Sequence, residues 1–354
     1  MHRLSALHYL LLLLATAATL TCGRAAPPAG LADSELDDLF QLVKTSVVEG
    51  TAETPVFFPR GMVIRDRLLY VTDSMGHTLT VFGLDDGTIY QMGGEGAGPG
   101  EFRMPGSLSI GKDGHIYVHD TGNSRVEILS QTGDLISLVP LSQRPLHVIP
   151  LDRDANKRLL LIGLRACEPR VNCRVTEVDM DGRILRQYAP QRERVKIMAF
   201  AAALDPDGKV YLANKLDDAI QVVGVDGNEL LEIDVTSPAT IPFDDGQPDD
   251  VPPDPYVISQ HLREDTYTLI DSIHVVDDLI LVQFRVANPP ELHSEYILNA
   301  FSKEDYARQY TIGIPGRLLV DQDHYYFVTH DETSDYGRFV VHQYSMLPYE
   351  GARP

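Results

Sequence analysis

A few residues of this 354-residue chain have the types needed for metal binding or acid–base chemistry. His147, Asp271 and His274 each lie close to the start of a short apolar segment of a recurring kind. An ion on the axis between such segments must be reached from several of them. The matching positions of other segments carry glycine, alanine or arginine, which supply too few ligands. The sequence therefore does not favour a resident Ca²⁺ or Zn²⁺, predicts no cofactor, and assigns no catalytic residue.

Arg144, His147 and Arg317 form a second group, because all three lie near the starts of these segments in an acidic chain. A concave site with low-dielectric walls strengthens the field of a fixed positive charge. We therefore predict that they line a binding site, together with Asp271 and His330, and favour an anionic or carbonyl-bearing ligand. The alternative is that both arginines pair with neighbouring carboxylates such as Asp271 and serve packing alone.

The three cysteines fall into two groups: a single cysteine near the N-terminus and a pair in the third unit. Cys22 ends an apolar N-terminal stretch and is followed by Gly23, which resembles the lipidated cysteine of bacterial lipoproteins. The residues just before it depart from the usual pattern, so ordinary signal cleavage is the alternative. Cys167 and Cys173 flank a predicted hairpin loop, where an oxidising compartment favours a disulfide. Two free thiols or half of a metal site are the other possibilities.

These residues must be positioned by a unit of four short strands that recurs six times between residues 56 and 346. Each unit has an Asp- or Gly-rich turn before an apolar run, as in GKDGHIYV from Gly111 and DPDGKVYL from Asp205. A second such turn follows in the first five units, so each contains two hairpins. A lone four-stranded sheet cannot bury both faces and must stack on neighbours. The pattern predicts an all-β, six-bladed β-propeller of four-stranded antiparallel blades.

The sixth unit has only three recognisable strands before the chain ends. The segment LFQLVKTSVVE from Leu39 is the predicted donor of the missing outer strand, which would otherwise leave an open edge. Its rival interpretation is a helix capped at Ser34 with one apolar face, formed by Leu36, Leu39, Phe40 and Val43. We favour the strand, with a short helix before it.

Residues 93–136 resemble the NHL repeat. They have a Gly-Pro-Gly-Glu-Phe lead-in, a proline, an Asp-Gly turn and an apolar strand that ends in Asp120, followed by Asn123 and Arg125. The chain as a whole resembles secreted bacterial six-bladed propellers related to NHL proteins. The resemblance implies that the side chains of Asp120, Asn123 and Arg125 bond within and between blades. It implies little about function, because these proteins are grouped mostly by fold rather than by known activity. Six-bladed propellers that act as lactonases, and the amidating lyases that resemble NHL proteins, use a metal.

Composition and order give the domains. Residues 1–22 read as a signal peptide, residues 23–50 as a linker and closing segment, and residues 51–349 as the propeller, with a Pro/Asp-rich loop inserted at 236–267. The formal net charge of −21 gives no basis for a nucleic-acid partner. We expect an extracytoplasmic protein, periplasmic or anchored to the outer membrane as a lipoprotein, and otherwise secreted. The only expected membrane contact is the lipid, and the sequence does not indicate an oligomeric state.

These observations favour a binding or scaffolding module whose ligand is a protein, peptide or glycan. The alternative is a metal-dependent hydrolase or lyase with its site at the mouth of the channel.

Overall fold

The computed structural model describes residues 33–347 except 152–156, 169–170, 192–199, 217, 225, 238, 242–266, 288–295 and 332. This part of the chain contains one α-helix, α1 (Asp33–Leu39), a 3₁₀ turn (Thr121–Asn123) and 24 β-strands. The strands form six four-stranded antiparallel sheets. Each sheet is one blade, and its strands follow one another outwards in chain order, with one exception in the last blade.

The first three blades have the following strands. Blade 1 contains β2 (Pro59–Arg65), β3 (Leu68–Asp73), β4 (Thr78–Gly83) and β5 (Ile89–Gly93). Blade 2 contains β6 (Pro105–Ile110), β7 (Ile116–Asp120), β8 (Arg125–Leu129) and β9 (Leu135–Pro140). Blade 3 contains β10 (His147–Leu151), β11 (Arg158–Glu168), β12 (Val171–Asp179) and β13 (Ile184–Gln191).

The remaining three blades complete the ring. Blade 4 contains β14 (Phe200–Leu204), β15 (Val210–Asn214), β16 (Ala219–Val223) and β17 (Glu229–Asp234). Blade 5 contains β18 (Tyr267–Val276), β19 (Leu279–Ala287), β20 (Tyr296–Ser302) and β21 (Arg308–Ile314). Blade 6 contains β22 (Arg317–Asp321), β23 (His324–Asp331), β24 (Arg338–Met346) and, as its outermost strand, β1 (Phe40–Glu49).

The apolar core is divided among the contacts between blades. One cluster of buried side chains lies between each pair of neighbours, and the cluster between blades 6 and 1 closes the circle. All six residues of β4 are buried, because a middle strand is covered by a blade on each side. The outer strand β17 instead exposes most of its residues. The predicted six-bladed propeller is therefore confirmed.

The N-terminal segment closes the last blade as predicted. α1 ends at Leu39, and β1 then pairs antiparallel with β24, from Phe40 opposite Met346 to Glu49 opposite Arg338. Phe40 is buried between blades 5 and 6, while Val48 is buried between blades 6 and 1. The helical interpretation of the whole segment is wrong, since the helix has only seven residues.

Antiparallel order gives the ring two distinct faces. On the loop face, the innermost strands begin and loops join the second strand of each blade to the third. On the turn face, tight turns join the first strand to the second and the third to the fourth. Aspartates stabilise many of these turns, because their carboxylates accept hydrogen bonds from backbone N–H groups of the turn. The aspartates concerned are Asp86, Asp113, Asp179, Asp205, Asp226 and Asp305.

The signal peptide at residues 1–22 and most of the inserted loop at 236–267 lie outside the described residues, so both stay predictions. None of the helices in the described part of the chain has the length and hydropathy required to cross a bilayer.

Candidate functional site

Charged side chains from three blades meet at the loop-face mouth of the channel. Lys215 follows β15 of blade 4, and its Nζ lies 3.4 Å from Oδ1 of Asp271 in blade 5. Arg317, the first residue of the innermost strand of blade 6, has its Nε 3.6 Å from the other oxygen of Asp271. The backbone N–H of Ile270 donates to the Lys215 carbonyl at 2.8 Å, which fixes the loop of blade 4 against β18. These three side chains and Arg285 are called the channel-mouth cluster.

The cluster contains more positive charge than one carboxylate can balance. Burial opposes ionisation of Asp271, but the charges of Arg317, Lys215 and Arg285 outweigh it and lower the pKa of this carboxyl. Burial also lowers the pKa of Lys215, and the charges of Arg317 and Arg285 lower it further, against the attraction of Asp271. Three cations near one anion leave an excess of positive charge among partly desolvated groups.

The histidines near the channel are neutral at pH 7. Burial, followed by the charge of neighbouring cations, lowers the pKa of His147 and His274 to about 4. His147 Nε2 lies 2.8 Å from the carbonyl oxygen of Phe200. His274 Nε2 lies 3.0 Å from the hydroxyl of Ser272. Neither imidazole therefore adds positive charge to the cluster at neutral pH, although both can donate or accept a hydrogen bond.

The structure brings together three of the five predicted ligand-binding residues. Arg317 and Asp271 are in direct contact, and both influence the pKa of His147. Arg144 is exposed, and its charge contributes to lowering the pKa of His119 in blade 2. His330 lies towards the loop-face end of β23, where its ring stacks on Phe339 with centroids 4.8 Å apart.

Lys215 and Arg285 were not identified from the sequence. Lys215 follows the apolar run of β15 directly and belongs to the loop between the second and third strands. Arg285 lies near the loop-face end of β19. The available signal is position, because a basic residue at the end of a second strand falls on the same face as the starts of the innermost strands. That pattern does not indicate which blades direct their side chains to the same point near the axis.

The Asp120 network follows the role implied by the NHL resemblance. One carboxylate oxygen of Asp120 accepts from Asn123 Nδ2 at 2.6 Å and from Arg125 Nε at 2.9 Å. The other accepts from the backbone N–H of Arg103 at 2.7 Å. Arg125 also contacts Glu127. Burial of the Glu127 carboxyl outweighs the charge of Arg125 and raises the pKa of that carboxyl to about 7. The network fixes the connection into blade 2.

A separate cleft of about 660 Å³ opens at the other end of the channel, between blades 4, 5 and 6. Its accessible surface is mainly polar, and it is lined by Ala203, Leu204, Ile273, His274, Val275, Val276, Asp277, Val320, Gln322 and Asp323. The channel-mouth cluster and the cleft therefore lie at opposite ends of the innermost strands. Charge, rather than volume, marks the loop face as the candidate site.

Metal ligation requires three or more convergent donors. Among the residues that the structure describes, no group of three His, Cys, Asp or Glu side chains is arranged to hold an ion.

Of the two cysteines in the predicted disulfide, the structure describes the side chain of one. Cys173 is buried and disulfide-bonded, while the side chain of Cys167 lies outside the described residues. Their pairing therefore stays a prediction.

Comparisons with known proteins agree on the architecture. The family model DUF5128, described as a 6-bladed beta-propeller, matches residues 32–226. NHL repeat-containing protein 3 of Homo sapiens is 29% identical over 108 residues, which cover 28% of this chain and 31% of that protein. The match thus spans less than a third of the relative's length.

Two solved structures share the fold over most of the chain. One is a protein of Bacteroides fragilis provisionally described as exported, with a TM-score of 0.61 and 14% identity over 90% of this chain and 98% of its own. The other is a DUF4221 family member from Bacteroides vulgatus, with a TM-score of 0.59 and 10% identity over 87% of this chain and 98% of its own. At these identities the likeness shows the fold alone.

Proposed function

We propose that this chain, which belongs to the 6-bladed beta-propeller family DUF5128, is an exported binding module that captures an anionic ligand at its loop face. The ligand class is a protein, peptide or glycan that carries a carboxylate or another anionic group. The observation that carries the proposal is the channel-mouth cluster, in which Lys215 and Arg317 contact the carboxylate of Asp271 and the charge of Arg285 also acts on it.

Electrostatics explains why this arrangement suits an anion. A lysine with a lowered pKa regains stabilisation when a second negative charge arrives, because the new charge offsets the repulsion from the two arginines. Arg317 can present a planar pair of donors to a carboxylate, which adds geometric specificity. Neutral His147 supplies a hydrogen-bonding group beside these charges. Export is supported by the predicted signal peptide and by the provisional description of the B. fragilis neighbour.

Binding to an array of acidic peptides and uronic-acid oligosaccharides, with neutral counterparts, tests this function. We expect Arg317→Gln and Lys215→Gln each to weaken the binding of anionic probes at least tenfold. Asp271→Asn should retain or strengthen it, because a competing carboxylate is removed. Arg183→Gln, an exposed cation on the turn face, is the matched control. Affinity should also fall as salt concentration rises.

Two outcomes would contradict the proposal. One is a purified protein that binds no anionic probe more tightly than its neutral counterpart. The other is an Arg317→Gln variant that loses binding only together with its melting temperature, since the arginine would then serve packing. The stability of that variant should change little, because Lys215 remains beside Asp271.

The alternative function is a metal-dependent hydrolase or lyase at the same mouth. It requires a set of convergent ligands, which the described residues do not supply. Metal analysis of the purified protein separates the two functions. One equivalent of Ca²⁺ or Zn²⁺ retained per chain would favour the enzyme.

A further inference from the structure

A band of exposed apolar side chains crosses the loop face over blades 6, 1 and 2. Its five members have side chains between 40% and 69% exposed: Tyr336, Phe57, Phe58, Met75 and Met104. All belong to loops that either enter an innermost strand or join a second strand to a third. We call these residues the apolar band. None of them is part of the channel-mouth cluster.

Backbone hydrogen bonds hold most of the band together. The carboxylate of Asp73, which is fully buried, accepts N–H bonds from Phe57 at 2.6 Å, Phe58 at 3.1 Å and Met75 at 2.9 Å. The preceding residue, Val56, donates its N–H to the carbonyl of Tyr336 at 2.9 Å. Three loops therefore present their apolar side chains from one fixed framework, which reduces the ordering cost of binding.

Met104 joins the band through His77. Its N–H donates to His77 Nδ1 at 3.0 Å, across the boundary between blades 1 and 2. Both residues have a left-handed backbone, with φ of 51° for Met104 and 59° for His77. That conformation is uncommon for residues other than glycine. The contact thus holds a large apolar side chain in solvent at a conformational cost.

The band differs from the other exposed apolar side chains of the described residues. Those are Leu146 on the loop face and seven residues scattered over outer strands: Leu42, Val43, Val47, Ile136, Ile184, Leu185 and Leu230. Single exposed apolar residues are normal on protein surfaces, whereas a contiguous apolar patch marks an interaction site.

Arginines lie within the band. The Arg60 guanidinium is 4.7 Å from the centre of the Phe58 ring, and Arg103 directly precedes Met104. Both are exposed, and within the described part of the chain neither forms an ion pair with a carboxylate. Aromatic residues, methionine and arginine are the types enriched at the centres of protein interfaces. Unpaired arginines favour a partner surface that carries carboxylates.

We propose that the apolar band docks a partner protein through a surface of apolar side chains bordered by Asp or Glu. A bilayer is the rival occupant, but β1 begins at Phe40 on the turn face. A lipid on Cys22 would precede a segment that enters the ring on the turn face, opposite the band. The inference does not depend on the anion-binding function, because the two sets of residues are separate.

Site-specific photo-cross-linking in the native envelope tests the docking surface. A photoreactive residue is placed at Met75 or Met104, with Leu230 and Ile136 on outer strands as matched control positions. We expect both band positions to yield an adduct with the same partner protein, and the control positions to yield none. Mass spectrometry should map the adduct to a partner segment that contains both apolar and acidic residues.

A second set of variants checks the chemistry of the contact. Phe58→Ser and Arg60→Glu should each reduce the adduct yield at Met75 at least tenfold with an unchanged melting temperature, because both side chains are exposed. Arg183→Glu on the turn face should leave the yield unchanged. Adducts with lipid, with a second copy of this chain, or equally with band and control positions would overturn the proposal. So would an unchanged yield for Phe58→Ser and Arg60→Glu.

Discussion

At the residue scale, two buried glutamates have opposite environments. Glu177 accepts bonds from Arg158 at 2.6 Å and Arg186 at 2.7 Å, and these outweigh burial and lower its pKa. Glu127 shares a single guanidinium, that of Arg125, with Asp120, and burial raises its pKa to about 7. The number of guanidinium groups per carboxylate therefore decides which effect dominates.

This contrast predicts opposite pH effects. A raised pKa means that the folded state holds a proton that the unfolded state has lost, so stability falls as pH rises from about 4.5 through 7. Glu127→Gln should therefore stabilise the protein at pH 8, by on the order of 2 kcal/mol, and change little at pH 4.5. Unfolding by denaturant at the two pH values measures this. A Glu127→Gln variant that is less stable than the unsubstituted protein at pH 8 would contradict this prediction.

Glu177→Gln is the matched comparison. A lowered pKa contributes stability above the usual value of 4.5, and this stability is lost as pH falls through the folded-state pKa. The substitution should therefore destabilise the protein at pH 8, where Arg158 and Arg186 lose their shared partner. Equal effects of the two substitutions at that pH would mean that burial alone governs both sites.

At the element scale, β1 is the strand that closes the ring. Its burial is concentrated at the ends, where Phe40 and Val48 enter two different inter-blade cores. The Phe40 ring makes edge contacts with Tyr325, Phe327 and Tyr344 at centroid distances of 5.3, 5.7 and 6.3 Å. The residues between the two ends mostly face solvent, as expected of an outermost strand.

Phe40→Ala should therefore lower the free energy of unfolding by about 3–5 kcal/mol, the usual cost of removing a buried aromatic ring. Leu42→Ala on the same strand should change it by no more than about 0.5 kcal/mol, because that side chain is exposed. Denaturant unfolding of the two variants provides the comparison. Equal effects would mean that β1 contributes through its backbone alone, and would contradict the closing role of Phe40.

At the scale of the whole molecule, the net charge does not indicate how charge is distributed between the loop face and the turn face. Aspartates recur in the tight turns of the turn face, because their carboxylates accept hydrogen bonds from backbone N–H groups there. The formal charge of −21 is thus partly a by-product of turn chemistry. The loop face carries the channel-mouth cations and the arginines of the apolar band. The net charge therefore conceals a group of positive side chains on the loop face.

The lipoprotein prediction rests on Cys22. If Cys22 is lipidated, Cys22→Ser should move the protein from the membrane fraction to the soluble envelope fraction, because a lipid is the only predicted membrane contact. Thr21→Ala, which keeps the cysteine, is the control and should stay membrane-associated. Fractionation followed by immunoblotting measures this. A Cys22→Ser variant that remains in the membrane fraction would contradict the lipoprotein prediction.

The sequence by itself determined the architecture. Turn residues recur at nearly regular intervals, and each hairpin depends on local backbone chemistry, so the number of blades and the closing strand could be read from local patterns. The missing strand of the sixth unit pointed to the segment that became β1. His147 and Arg317 were also placed near the channel, because a strand's first residue falls on a known face. Asp271 was expected at a strand start as well, but β18 begins four residues earlier, at Tyr267.

The tertiary structure alone decided which of these residues meet. Lys215, Asp271 and Arg317 are separated by tens of residues, and their contacts depend on the angle between blades rather than on any local pattern. The same is true of the apolar band, whose members come from loops of three blades. Blade packing is set by non-local burial of apolar surface, and a sequence records which residues are buried more directly than which ones touch.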